Sequence, residues 1–139
     1  MRRAQNLLAR GEGLAVGLTG GLAAGKSTVA SWLREAGFDR RIVLLEGLFS
    51  PADITLINGY RLDVVIHSLH QVEMLEQGGL SGPLDIWLKI DTGMHRLGVA
   101  PELVEQAHQR LSRCANRTGD LVTCTHLASA DDLESPQTN

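Results

Sequence analysis

Lysine is nearly missing from this chain. Only Lys26 and Lys89 occur, and the rest of the basic side chains are arginine. There is no basic run, and the formal net charge is -3, which argues against nucleic acid as the main partner. Long apolar runs are also missing. None could cross a bilayer, so no membrane partner is expected. Met1-Arg2-Arg3 is not followed by the continuous apolar segment of a secretory signal. Cysteine is scarce too: Cys114 and Cys124 have neither a metal-site spacing nor a disulfide framework, and the default compartment is the cytoplasm. No linker or shift of composition divides the chain. What remains is 139 residues, 43% hydrophobic and 21% charged, enough for one soluble domain with a real core.

Short apolar runs alternate with helical patterns. Leu14–Leu18, Ile42–Leu45, Val64–His67, Leu84–Ile90 and Leu121–Cys124 read as strands. Between them, Val29, Trp32, Leu33 and Ala36 form a helical stripe with Gly37 as its stop. Ser50-Pro51-Ala52-Asp53 reads as a helix start with Ser50 as N-cap, ending before Asn58-Gly59. Ser68 caps a helix whose Leu69, Val72 and Leu75 face inward. Pro101 opens another, with Leu103, Val104, Ala107 and Leu111 on one side. Met1 to Gly13 reads as a short helix or lead-in, and Asp131 to Asn139 as a loose polar tail. Strand then helix, about five times over, implies an α/β fold with a parallel sheet and right-handed crossovers.

Two stretches carry chemistry. Gly20-Gly21-Leu22-Ala23-Ala24-Gly25-Lys26-Ser27 matches the phosphate-loop pattern G-x-x-x-x-G-K-[ST], between a strand and a helix. In such a loop, backbone N–H groups and the helix dipole hold a phosphate. Gly20, Gly25, Lys26, Ser27 and Thr28 would then hold the phosphates of ATP, and Ser27 would ligate its Mg²⁺. The alternative is an ordinary glycine-rich turn. The second stretch is Leu88-Lys89-Ile90-Asp91-Thr92-Gly93-Met94-His95-Arg96-Leu97-Gly98. Lys89 lies inside a strand that looks buried on both faces, so it needs a partner or a job. Glu46, His67, Lys89 with Asp91, and His126 each end a different strand. In a β/α sheet those ends share one edge, where ligands bind.

Val16 through Ala30 resembles the N-terminus of dephospho-coenzyme A kinases, but the acidic Asp-x-Asp strand end those kinases need next is replaced by Phe38–Gly47. From about Leu33 to Asp132 the chain resembles the middle of the N-terminal barrel domain of alanine racemases. The resemblance rests on Leu33–Gly37, Ile42–Gly47, Val65–Ser68, Leu88–Gly98 and Thr125–Asp131. It implies a partial (β/α) barrel of about five parallel strands with helices outside. It further implies pyridoxal 5′-phosphate (PLP) as cofactor, alanine as substrate, a homodimer, and a place in D-alanine supply for the cell wall. Carried over by position, Arg96 would hydrogen-bond the cofactor's phenolic oxygen. Lys89 would be the lysine that is often carbamylated and holds that arginine. His126 would pack against the pyridine ring. The family's cofactor-carrying lysine and its second base, a tyrosine, have no counterpart here. The expectation is therefore a fragment or chimera, with residues 1–32 as a phosphate-loop lead-in and 33–139 as the barrel piece, one structural unit without turnover of its own. The two other readings are an ATP-binding module and a scaffold with no ligand.

Overall fold

The apolar runs become strands because their side chains can be buried on both sheet faces, and the polar turns between them start helices. The computed structural model describes residues 15–20, 25–39, 41–114, 121–132 and 134–135. The expected helix before Gly13, loop residues 21–24 and the last four residues lie outside that range. The strands are β1 (Ala15–Leu18), β2 (Arg41–Leu44), β3 (Asp63–Ile66), β4 (Ile86–Ile90) and β5 (Val122–Thr125). They form one sheet in the order β1-β2-β3-β4-β5, each pair parallel. The helices are α1 (Lys26–Glu35), α2 (Asp53–Tyr60), α3 (Leu69–Gln77) and α4 (Val104–Ser112), the last preceded by a 3-10 turn at Pro101–Leu103. Among the described residues β1 and β5 do not pair, so the sheet is an open arc of a (β/α) barrel, as expected from the alternation.

The two sheet faces differ. Leu18, Ile42, Leu44, Val64, Ile66, Ile86 and Leu88 belong to the main core, together with Ala30, Ile54, Val72, Leu75, Ala107 and Leu111 from the helices. Val64, Ile66, Ile86 and Leu88 are completely shielded from solvent. The alternate residues, among them Val43, Leu45, Val65, Trp87, Lys89 and Cys124, line a concave surface on the other side.

Three local expectations change. Ser50 is not the cap of α2: the N-cap is Ala52 with no side-chain bond, and Asp53 instead accepts from the N–H groups of Phe49 (2.8 Å) and Ser50 (3.1 Å). The N–H groups of Asp53, Ile54 and Thr55 reach the backbone carbonyls of Ser50, Pro51 and Ala52, so the Ser50 hydroxyl is not needed as their acceptor. The helix also runs through Asn58-Gly59 to Tyr60 and stops only at Arg61, in the left-handed conformation. In α1, Ala30 is fully buried, whereas Val29 is 40% and Trp32 75% exposed. The reason is Arg34, whose guanidinium donates to the carbonyls of Phe38, Tyr60 and Arg61 and sets the roll of the helix against the end of α2. The expected stop at Gly37 is found. Gly37 has φ +80°, its N–H reaches the carbonyl of Arg34, and Phe38 N–H reaches that of Leu33. This is the Schellman arrangement, which places glycine just past a helix end.

Candidate functional site

The concave face holds a cavity of about 800 Å³. Its wall is apolar, from Val43, Leu45, Val65 and Trp87, and its polar members are Thr19, Glu46, His67, Lys89 and Arg96. These come from the ends of four strands or the turns after them. Register explains the order. Val65 pairs with Trp87, and Lys89 pairs with Cys124 one inward step further along.

His67 follows β3 and is 7% exposed. Its Nε2 lies 2.8 Å from the Leu45 carbonyl, which fixes the proton there, because a carbonyl only accepts. Burial, the largest influence, lowers the imidazole pKa, and Lys89 lowers it further; the Leu45 bond and Glu46 push the other way. Nδ1 of His67 is buried without a hydrogen-bond partner, and so is Nε1 of Trp87. Glu46 accepts from the Thr19 hydroxyl at 2.6 Å, which is the main cause of its lowered pKa.

A buried glutamine, which the sequence reading passed over, fixes the frame of this site. Gln71 Oε1 accepts from the His67 N–H (2.8 Å), while its Nε2 donates to the carbonyls of Glu46 (3.1 Å) and Leu48 (2.9 Å). It thus ties the turn after β2 to the end of β3. Gly47 makes room for it: a Cβ there would lie 2.4 Å from the Val65 carbonyl and 2.7 Å from Gln71 Nε2. A signal was present, since Ser68-Leu69-His70-Gln71 has capping-box spacing. The Ser68 hydroxyl accepts from Gln71 N–H at 3.2 Å, as expected of that cap.

The turn after β4 closes on itself. Asp91 N–H donates to the Val99 carbonyl, and Val99 N–H donates to that of Lys89. Asp91 accepts from the backbones of His95 (2.9 Å) and Gly93 (3.1 Å), bonds that keep its pKa low, and its other oxygen lies 3.1 Å from His95 Nδ1. Lys89 reaches the Leu97 carbonyl at 2.7 Å. The buried-strand lysine therefore has a partner, and that partner belongs to the loop carrying Arg96. Thr125 donates to the Ile90 carbonyl and shares a 2.7 Å bond with Thr92.

Of the residues singled out from sequence, Lys89, Arg96, Glu46 and His67 meet at this cavity. His126 directly follows β5 at the same sheet edge, but it is exposed and not among the lining residues. Asp91 builds the loop instead of lining the space. Gly20, Gly25, Lys26, Ser27 and Thr28 also lie at this edge, around the turn from β1 into α1. Gly25 is the left-handed N-cap of α1. Lys26 donates to the Gly20 carbonyl at 2.6 Å and sits 5.0 Å above the Phe49 ring. The middle of that loop, residues 21–24, lies outside the described range. Among the described residues no group of three or more His, Cys, Asp or Glu could hold a metal ion, and no helix is long and apolar enough to span a membrane.

A parallel β/α arc with its ligand-sized cavity at the C-terminal strand ends defines the class: a barrel-type α/β protein whose site sits where such barrels place theirs. The chain belongs to the alanine racemase family, matching the model "Alanine racemase, N-terminal domain" over residues 12–139. That span includes the strand, loop and helix that resembled a phosphate-loop kinase. An alanine racemase of Halorhodospira halophila is 45% identical over 134 residues, covering 92% of this chain and 37% of that protein. One from Shewanella sp. (strain MR-4) is 45% identical over 106 residues, covering 76% and 30%. The crystal structure of biosynthetic alanine racemase from Pseudomonas aeruginosa superposes with TM-score 0.77 at 34% identity, over 99% of this chain and 36% of that one. A histidine racemase from Leuconostoc mesenteroides, at 21% identity and TM-score 0.68, shares the fold. The chain spans about a third of the length of these relatives.

Proposed function

We propose that this chain is a cofactor-facing part of a PLP-dependent alanine racemase, acting in the cytoplasm, and that it does not turn over alanine by itself. The observation that carries the reading is the shared cavity of Lys89 and Arg96, both from the run most characteristic of the family. The lining fits a flat, electron-poor anion: Trp87 and Leu45 offer apolar surface, and Arg96 offers a cation at the mouth. When bound, the cofactor supplies an electron sink for Cα–H cleavage. Arg96 would donate to the phenolic oxygen, whereas His126, exposed at the same sheet edge, would reach the ring only from outside the cavity's lining. Lys89, through the Leu97 carbonyl, holds the loop on which Arg96 stands. Carbamylation of Lys89 would replace that donor with an anion able to hold Arg96 directly. The whole described chain acts here as one unit, because β1 pairs with β2 along its length.

The lysine count supports the inactivity. The cofactor must be carried by a lysine, and only two exist. Lys89 is engaged with Leu97, and Lys26 turns to Gly20 and Phe49. The single tyrosine, Tyr60, is not among the cavity's lining residues. The test uses a Trp32→Phe background, so that Trp87 is the sole indole. Titration with PLP should quench its fluorescence saturably, and Arg96→Ala should weaken binding at least about fivefold, as loss of a charged hydrogen bond does. Binding indifferent to Arg96→Ala would remove the proposal. A chiral assay with L-alanine and PLP should give no D-alanine above free cofactor.

A further inference from the structure

Gln71 lies on α3 and is not among the residues that line the cavity, yet its side chain bonds the backbones of Glu46 and His67, which do line it. The amide is used in full. Its oxygen accepts from the His67 N–H at 2.8 Å, and its nitrogen donates to the carbonyls of Glu46 (3.1 Å) and Leu48 (2.9 Å). Only one orientation of the amide satisfies all three. A fourth bond closes a ring: His67 Nε2 donates to the Leu45 carbonyl at 2.8 Å, and Leu45 is joined to Glu46 along the chain. Gln71, His67, Leu45 and Glu46 thus form a hydrogen-bonded cycle across the ends of β2 and β3. Leu45, Glu46 and His67 face the ligand space, and Gln71 stands behind them. Gln71 also departs from its local role. It is the third residue of its helix, where a capping-box glutamine reaches back to the N–H of its own cap. Here the oxygen takes the N–H one residue before Ser68, and the nitrogen crosses to residues 25 and 23 positions away. A local preference given up for a distant contact is what a functional site imposes.

We propose that Gln71 is a positioning residue for the cofactor: its amide holds the Leu45–Glu46 turn and His67 at the spacing at which the cavity accepts PLP, without touching the ligand. The proposal rests on the reading of the cavity as a PLP site. A ring of bonds is rigid only while it is closed. Cutting it at Gln71 frees both strand ends at once, so that the Leu45 wall shifts and the His67 ring turns away from its carbonyl. Leu45 has room to move. It is 45% exposed, and it lies over Gly17, where a Cβ would come within 2.7 Å of its Cδ1. A cavity with a loosened wall binds weakly even when every group that touches the ligand is intact. The helix itself is anchored elsewhere, by Val72 and Leu75 in the core. Gln71 therefore sets affinity by a route separate from the packing that holds α3 to the sheet.

The experiment titrates the full chain with PLP well below each variant's melting temperature, so that lost affinity is separated from lost fold. Gln71→Met keeps length and removes all three bonds. It should weaken PLP binding about tenfold. Val72→Ala destabilises the same helix without touching the ring of bonds, and its affinity should stay within about twofold of the parent's. Gln71→Glu supplies a rescue. Ionised, its carboxylate faces two carbonyl oxygens and donates nothing; protonated, it accepts from His67 and donates to one carbonyl. Its PLP affinity, taken relative to the parent at the same pH so that His67 and Glu46 cancel, should be poor at about pH 8 and recover severalfold at about pH 5.5. Parent affinity in Gln71→Met, or a Gln71→Glu ratio that ignores pH, would overturn the proposal. A check on the parent needs no variant: with ¹⁵N labelling, the Gln71 side-chain amide protons should exchange slowly with solvent, and exchange as fast as a free amide's would equally overturn it. If PLP binding depends on Arg96 but not on Gln71, the cofactor reading stands and this proposal falls. If the parent does not bind PLP, the cofactor reading falls and the clamp is judged on His67 alone. Its ring should hold the Nε2–H tautomer in the parent and in Val72→Ala and lose it in Gln71→Met, and a tautomer unchanged in all three would remove the clamp as well.

Discussion

Single residues in this protein act mostly by holding other residues in place. Gly98 has φ +130°, and a Cβ there would lie 2.5 Å from Asp91 N, so only glycine fits where the loop returns to β4. Gly98→Ala should cost about 1–3 kcal/mol by thermal unfolding. It should also weaken PLP binding, since the loop that carries Arg96 and accepts from Lys89 must move. A variant with unchanged stability would show that the loop has another low-energy path. His67 gives a pH dependence whose sign can be worked out. Its folded pKa lies below 6.5, mainly through burial. The unfolded chain therefore takes up a proton first as pH falls, and stability declines from about pH 6.5 downward to the lower folded value. In His67→Gln that limb of the profile should flatten. A profile identical to the parent's between pH 7 and 5 would mean that the imidazole is solvated in solution.

At the scale of elements, burial and charge contribute unequally. Glu76 on α3 meets Arg110 on α4 in a two-pronged pair, with bonds of 3.0 and 2.6 Å, and this bond is the main cause of the lowered glutamate pKa. Each side chain is about a third exposed, so solvent screens the pair. Glu76→Ala should therefore cost only about 0.5 kcal/mol, less in high salt. Leu88, by contrast, is fully buried between the sheet and its helices. Leu88→Ala should cost about 2–5 kcal/mol in denaturant unfolding, through lost transfer energy and the cavity left behind. If the two substitutions proved equal, the helices would be held to the sheet by their surface charges, contrary to the packing described here. Element boundaries show the same ranking. The Ser68 cap and the Gly37 stop were legible in sequence because each depends on its own few residues. The roll of α1 was not, because Arg34 sets it through carbonyls of Tyr60 and Arg61, 26 and 27 residues away.

For the molecule as a whole, the arc of five parallel strands is both its fold and the frame of its site. Asp63 and Asp85 mark the opposite end of that frame. Asp63 Oδ1 accepts from Asp85 N–H at 2.9 Å, and Arg41 pairs with Asp85. Burial is the main reason the Asp63 pKa is raised. The folded state thus holds that proton more tightly than the unfolded chain does. The contribution is present below the ordinary carboxyl range and lost as pH rises through the folded pKa. Asp63→Asn keeps an acceptor for Asp85 and removes the buried charge. It should raise the melting temperature at pH 7, with a smaller gain near pH 4. A gain of equal size at both pH values would place the effect elsewhere than in the carboxylate.

The sequence by itself determined the class of this protein. Alternating apolar runs and helix signals specify strands and helices locally, and short right-handed crossovers leave few arrangements other than a parallel sheet. It also determined which strand ends are polar, because Glu46, His67 and Lys89 interrupt otherwise apolar runs. Only the tertiary structure decided what those residues face. Lys89 finds the Leu97 carbonyl across a loop, and Gln71 joins turns separated by more than twenty residues. His126 stays outside the cavity although it ends its strand as His67 does. Hydrophobic period is a property of neighbouring residues, whereas a hydrogen-bond partner or a cavity wall belongs to strands brought together from distant parts of the chain.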